Sequence, residues 1–226
     1  MVYAVVCALA LWLTSRLTLD GAIAAAIVGG TLWEITGFRL AGPLLTFALG
    51  SMLLERVLSR PERDHSDSRR ATQVIANSGP ALVCALLSWY LEDPRFVVAG
   101  SASLAAACAD TFATAVGMRF GAEPRSLLSR RHVPVGTEGA VSAIGLAGAA
   151  IGATLVAFVF AIAGPNRSVL WIAAVGFVGC LVDSVLGELF QSKARGDRSF
   201  VRLSNDLVNL ITTSFAAFLG YALSEI

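Results

Sequence analysis

The sequence predicts an all-α membrane protein, one polytopic transmembrane helical bundle of about seven to eight membrane segments over residues 1–226. Three observations carry that expectation. Hydrophobic residues make up 56% of the chain against 15% charged, and the mean hydropathy is +0.71, a balance soluble domains rarely approach. The apolar residues fall in long runs, and a helix needs about 20 residues to cross the roughly 30 Å hydrocarbon core. The 17 Lys and Arg are also spread unevenly between successive connections.

Eight apolar segments are expected, at 2–15, 20–36, 40–58, 78–91, 96–117, 138–163, 168–190 and 206–223. The first and fourth are short for a full crossing. Pro80 falls in the first turn of the fourth, where a missing N–H is tolerated. Asp20 reads as a cap of the second segment, and Asn205 as a cap of the eighth. Asn77 and Asp206 are open to capping as well as to function. Gly148 and Gly152 in the sixth segment, with Gly176 and Gly179 in the seventh, are read as packing residues that let helices approach. Cys7, Cys84, Cys108 and Cys180 lie in apolar runs without paired spacing, so neither a disulfide nor a zinc site is expected. A cleaved signal peptide is not expected either, because the apolar start has no basic leader. A net charge of +1 gives no reason to expect nucleic acid.

Fourteen of the 17 basic residues lie in or beside the odd-numbered connections, and only Arg39, Arg95 and Arg167 in the even ones. By the positive-inside rule the odd connections are cytoplasmic. Onto that leaflet fall Asn77, Asp110, the turn Gly136-Thr137-Glu138-Gly139, Asp183, and the run Asn205, Asp206, Asn209. Ionisable residues within apolar helices are expensive to keep, so Asp110 and Asp183 point to function ahead of an ion pair with a loop arginine. Glu138 is expected in the first turn of the sixth helix, where the helix dipole favours a carboxylate. His65 and His132 lie in loops and read as solvated. Carboxylate and amide oxygens suit Mg²⁺, which keeps water and bridges to phosphates. A Gly-containing turn entering a helix offers N–H groups to an anion, and Lys193 or loop arginines can neutralise phosphate. The combination points to phosphoryl or nucleotidyl transfer on a lipid, without a Walker-type loop or a protein-kinase motif set.

Five strings carry a resemblance: Gln73-Val-Ile-Ala-Asn77, Ala109-Asp110-Thr111-Phe-Ala-Thr-Ala-Val-Gly117, Val133-Pro134-Val-Gly136-Thr137-Glu-Gly139, Gly179-Cys-Leu-Val-Asp183-Ser184-Val-Leu-Gly187 and Asn205-Asp206-Leu-Val-Asn209. Together they resemble the phytyl-phosphate kinase family, with bacterial and archaeal members of unknown role and plant members of vitamin E biosynthesis. More distantly the chain is similar to phytol kinases, dolichol kinases and CDP-diacylglycerol synthases, membrane enzymes that use CTP. These share an Asp-bearing helix, a Phe-Gly pair (Phe120-Gly121) and a Thr-x-Glu-Gly type turn.

The resemblance implies that Asp110, Asp183 and Asp206 are metal and phosphate ligands supported by Asn77, Asn205 and Asn209. It makes Gly136, Thr137, Glu138 and Gly139 the nucleotide-phosphate turn; Asn77 and Arg131 are expected to bind the nucleotide with it, and Lys193, a basic residue of the same leaflet, is expected to act in catalysis. Many relatives have an acidic residue where this chain has Ala115, and the His-Gly-Gly string of the cytidylyltransferases is missing. The expected activity is a Mg²⁺- and CTP-dependent kinase acting on a prenyl monophosphate, phytyl or geranylgeranyl phosphate. A CDP-lipid-forming cytidylyltransferase and a lipid or small-molecule transporter are the alternatives. Expected partners are the prenyl phosphate lipid, the surrounding membrane lipids and a second copy in a homodimer, with no nucleic acid. The expected location is multi-pass in a membrane, the plasma (inner) membrane if the source is prokaryotic.

Overall fold

The structure, a computed structural model, describes residues 2–13, 17–58, 68–121, 123–163, 166–191 and 203–224. Among these are eight α-helices: α1 (Val2–Leu13), α2 (Leu19–Thr36), α3 (Phe38–Leu58), α4 (Ala71–Leu91), α5 (Arg95–Phe120), α6 (Ala143–Ala163), α7 (Val169–Phe190) and α8 (Asn205–Ala222). Between α5 and α6 lies an antiparallel ribbon of β1 (Arg125–Ser126) and β2 (Ala140–Val141). The six helices α2 to α7 are long and apolar enough to cross a membrane, which bears out the polytopic bundle. At 12 residues α1 is about 18 Å long, short of a crossing, and α8 opens on the polar run Asn205-Asp206.

Two helix starts, those of α4 and α6, lie more than two residues from the sequence expectation, each because polar groups decide where a helix begins. α4 starts at Ala71, seven residues before the expected 78, and so has full crossing length. Its first turns are stabilised by Gln73 Oε1, which accepts from Arg70 N at 3.1 Å, and by Asp20 Oδ2, which accepts from Ala71 N at 3.0 Å. Asp20 therefore caps α4, while α2 is capped by the Thr18 hydroxyl, which accepts from Gly21 N. Asn77 is an interior residue and no cap, and Pro80 sits mid-helix.

The later start of α6, at Ala143, has a different origin. The ribbon pairs Ser126 with Ala140, and Ser142 Oγ accepts from Gly145 N at 3.1 Å to open the helix. Glu138 thus precedes α6 by five residues and does not occupy its first turn. At α8 the cap is Ser204, whose Oγ accepts from Leu207 N at 3.2 Å, which makes Asn205 and Asp206 the first two helical residues.

α5 is the axis of the bundle. It packs on α3, α4, α6, α7 and α8, and 14 of its 26 residues are buried. Its run Ala99-Gly-Ser-Ala-Ser-Leu-Ala-Ala-Ala-Cys-Ala109 is almost all small, so neighbouring backbones can come close on every side. Glycines of the partner helices complete those contacts. A Cβ on Gly176 or Gly179 of α7 would lie 2.6 Å from Cβ of Ala105 or Ala106, and one on Gly220 of α8 2.7 Å from Cβ of Ala102. One on Gly148 or Gly152 of α6 would lie 2.8 Å from the carbonyl oxygen of Phe112 or Cys108. The packing role expected of the four α6 and α7 glycines is what the structure shows. Large apolar side chains such as Leu53, Phe158, Leu170 and Phe218 point outward, as a lipid-facing surface requires.

Polar connections mark the two ends. At the basic end, Thr18 N donates to Arg69 O at 3.1 Å, which joins the first and third connections. At the opposite end, exposed Trp33, Trp89, Tyr90 and Trp171 form an aromatic belt. There Asp93 accepts from the Arg95 backbone N–H at 3.0 Å, from the Arg95 guanidinium at 2.8–3.1 Å on both carboxylate oxygens, and from the Tyr221 hydroxyl at 3.0 Å. The Arg95 guanidinium also stands 4.6 Å over the Tyr221 ring. This cluster ties the α4–α5 connection to the end of α8.

Two outcomes are expected. Gly179→Ala should cost about 1–3 kcal/mol through overpacking, seen as a lower Tm in detergent. Adding Ala106→Gly should recover most of it, because the Ala106 Cβ is the one atom nearer than 3.4 Å to the new methyl. The second concerns pH. The Arg95 guanidinium first, then its backbone N–H and the Tyr221 hydroxyl, hold the Asp93 carboxyl at about 2 against the usual 3.8. A lowered folded-state value adds stability that is complete above the unfolded value and lost as pH falls through the folded one. Tm should therefore drop between pH 3.8 and about 2, and Asp93→Asn should remove that part of the slope.

Candidate active site

The costly residues found in the sequence converge at the basic end, around α5, α7 and α8. Asp110 of α5 and Asp183 of α7 are both half-buried, and Asp110 lies within electrostatic range of Asp183 and of Glu138. Asp183 feels Glu138 as well. The helix register explains the meeting. α5 and α7 run parallel with Ala105 against Gly176 and Ala106 against Gly179, so the next turn brings Asp110 level with Asp183. Among the described residues no Lys or Arg pairs with either aspartate, so the ion pair with a loop arginine is not formed by them.

Glu138, itself exposed, stays within electrostatic range of this pair because its turn is clamped on α7. Gly139, at φ +73°, packs against Ser184 O and Glu188 N so closely that no side chain fits, and its backbone faces Gly187. Gly136, at φ +87°, makes the preceding bend, and Thr137 Oγ1 donates to Pro134 O at 2.7 Å. Glu188 holds the other arm of the ribbon: its Oε1 accepts from Ser126 Oγ at 2.5 Å and its Oε2 from Leu128 N at 3.2 Å. The turn expected to enter α6 directly is thus carried to the site by docking on α7. Arg131 lies exposed on the ribbon loop, where its carbonyl accepts from Ser126 N at 3.0 Å.

α8 closes the site with an inverted face. Asn209, Thr212, Thr213, Ala216 and Gly220 are buried, while Leu207, Leu210, Ile211, Phe215 and Phe218 face outward. Thr212 Oγ1 donates to Asp183 Oδ2 at 3.2 Å. Thr213 Oγ1 lies 2.8 Å from Ala76 O and 2.7 Å from Asn209 O. The first of these carbonyls is free because Pro80, four residues on, has no N–H to occupy it. Asn77, next to Ala76, is half-buried and turns its Nδ2 onto Gln73 O at 2.9 Å. Asp206 is half-buried and Asn205 exposed, both nearer the basic end than Asn209. Lys193 lies outside the described residues.

Two hydroxyls central to this arrangement, Thr212 and Thr213, escaped the sequence reading, though they follow Asn209 by three and four residues and so share its face. Among the described residues no group of three or more His, Cys, Asp or Glu is placed to hold a metal ion. Asp110 and Asp183 are two carboxylates, the number with which Mg²⁺ is commonly held when phosphate and water complete its shell.

An α-helical polytopic membrane protein with acidic, amide and hydroxyl groups gathered at one end is the class these features define. More particularly, the chain belongs to the family described as integral membrane protein DUF92, whose model matches residues 2–217. It is 31% identical over 222 residues to an uncharacterized membrane protein of Methanocaldococcus jannaschii, covering 96% of this chain and 90% of that protein. Protein PGR of Arabidopsis thaliana is 30% identical over 208 residues, with 77% and 72% covered. The chloroplastic protein VTE6 of the same plant is 26% identical over 230 residues, with 94% and 67% covered. No solved structure matches the chain. The resemblance drawn from the motifs is borne out at the level of the family.

Facing carboxylates repel, so Asp110→Asn should raise the Tm of the metal-free protein in detergent. Relief of roughly 1 kcal/mol corresponds to about 2–4 °C for a chain of this size. A fall in Tm would assign Asp110 a supporting role in the fold.

Proposed function

We propose that this protein is a Mg²⁺- and CTP-dependent kinase that converts a prenyl monophosphate, such as phytyl or geranylgeranyl phosphate, to the diphosphate. The reaction takes place at the cytoplasmic interface of the plasma membrane. The observation that carries it is the meeting of Asp110 and Asp183 beneath the Glu138 turn, with no cationic partner among the described residues. The basic connections at that end support the orientation, and the motif resemblance supports the acceptor.

Asp110 and Asp183 would hold Mg²⁺, which when bound supplies neutralisation of the nucleotide phosphates. Asp206 stands about 9 Å before Thr212 along α8, beyond that ion, and is the candidate for a second. The Gly136–Gly139 turn and Arg131 receive the nucleotide, Asn77 and Asn209 line the acceptor side, and Lys193 meets the spreading charge. An oxygen of the lipid phosphate attacks the γ-phosphorus, the bond to the β–γ bridging oxygen breaks, and CDP leaves with that electron pair. An ionised phosphate has no proton to lose, so a strong base is unnecessary, and catalysis is positioning and electrostatics.

CTP labelled at the α or the γ phosphorus, given with Mg²⁺ and geranylgeranyl phosphate, tests the reaction. Gamma label in the lipid with CDP released is the expected result. Alpha label in the lipid would make it a cytidylyltransferase, and flux of the lipid across proteoliposomes without CTP a transporter. Asp183→Asn and Asp206→Asn should each lower turnover by roughly 10²-fold or more with Tm near wild type.

A further inference from the structure

We propose that Thr212 is a positioning residue for Asp183, an inference that rests on the metal-assisted chemistry above. A helical threonine ordinarily returns its hydroxyl to the carbonyl one turn earlier. Thr36, Thr46 and Thr111 do so, donating to Leu32 O, Gly42 O and Ala107 O at 2.8–3.1 Å. Thr212 gives its proton instead to Asp183 Oδ2 on the neighbouring helix, at 3.2 Å. It does this while 2% exposed.

The placement of Thr212 is over-determined. Thr213 anchors α8 to α4 through the Ala76 carbonyl that Pro80 leaves open, and Gly220 seats the same helix against Ala99 and Ala102. The hydroxyl therefore meets the carboxylate at a fixed level. A donor on Oδ2 stops rotation of the carboxylate and leaves Oδ1 as the oxygen available to a cation. Without the donor, Asp183 must be ordered at the moment the cation binds, against the repulsion of Asp110 and Glu138. Loss of such a supporting hydrogen bond typically weakens metal binding by about 10–100-fold.

The test is Mn²⁺ binding to the purified full chain in detergent, followed by electron paramagnetic resonance, with the metal alone and with CTP. Thr212→Val keeps the shape of the side chain and removes the donor, and should raise the Mn²⁺ Kd by about 10-fold or more with little change in Tm. Thr212→Ser restores the donor and should bring the Kd back towards wild type. A Thr212→Val protein that binds Mn²⁺ as tightly as wild type would overturn the positioning role and leave the kinase reading standing. A serine variant as weak as the valine one would overturn it too, by making the packed methyl responsible. A wild-type protein that binds no Mn²⁺ in either condition would overturn the metal-assisted chemistry and this inference with it.

Discussion

Close contact between backbones along α5 is the constraint on which the rest depends. Inside hydrocarbon, helices gain little by hiding apolar surface from one another, so association relies on van der Waals contact and a few polar bonds. Ala102, Ala105 and Ala106 of α5 meet Gly220, Gly176 and Gly179 with no room for a methyl group between them. That proximity has a chemical consequence. Asp183 and Thr212 carry short side chains, and they touch, with Asp110 in electrostatic range, only because the helix axes are so near. Leucine in place of these glycines would push α7 and α8 away and leave each polar group facing lipid or a void.

A second contact set gives the site its roof. The segment between α5 and α6 carries opposing demands: it must connect two helices at the interface and also present Glu138 over two other carboxylates. Repulsion alone would drive that turn away. It is held by Gly139 against Ser184 and Glu188 and by the bonds from Ser126 and Leu128 to Glu188. Glu188 is thereby occupied with structure and is not a ligand in waiting, although it lies on the same helix as Asp183.

Much of this was legible in the sequence, and the gaps have a common physical origin. Long apolar runs marked the helices because hydrocarbon permits nothing else, and Asp110 and Asp183 stood out because charge there is costly. Helix ends were less legible. The first turns of α4 are polar, and what secures them is a carboxylate 51 residues away, Asp20 on Ala71. The start of α6 was displaced by a ribbon of two residues per strand, too short to leave a pattern of alternation. Thr212 and Thr213 went unread because a helical threonine is usually content with its own backbone. The central place of α5 was hidden as well, since alanine and serine are only weakly apolar by hydropathy.

The inverted face of α8 bears on how the protein is made. Its inner side carries Asn209, Thr212 and Thr213, and it is not among the six helices apolar enough to cross on that ground alone. It is also the last of the described helices to leave the ribosome. Beside α4 and α7 the Thr212 and Thr213 hydroxyls are received by Asp183 and the Ala76 carbonyl, partners that the helix alone in the bilayer would not meet. Insertion of α8 is therefore favourable only onto a bundle already assembled. That step brings Thr212 to the aspartates that α5 and α7 have already set level, so a chain lacking α8 holds its carboxylates without the hydroxyl that orders one of them.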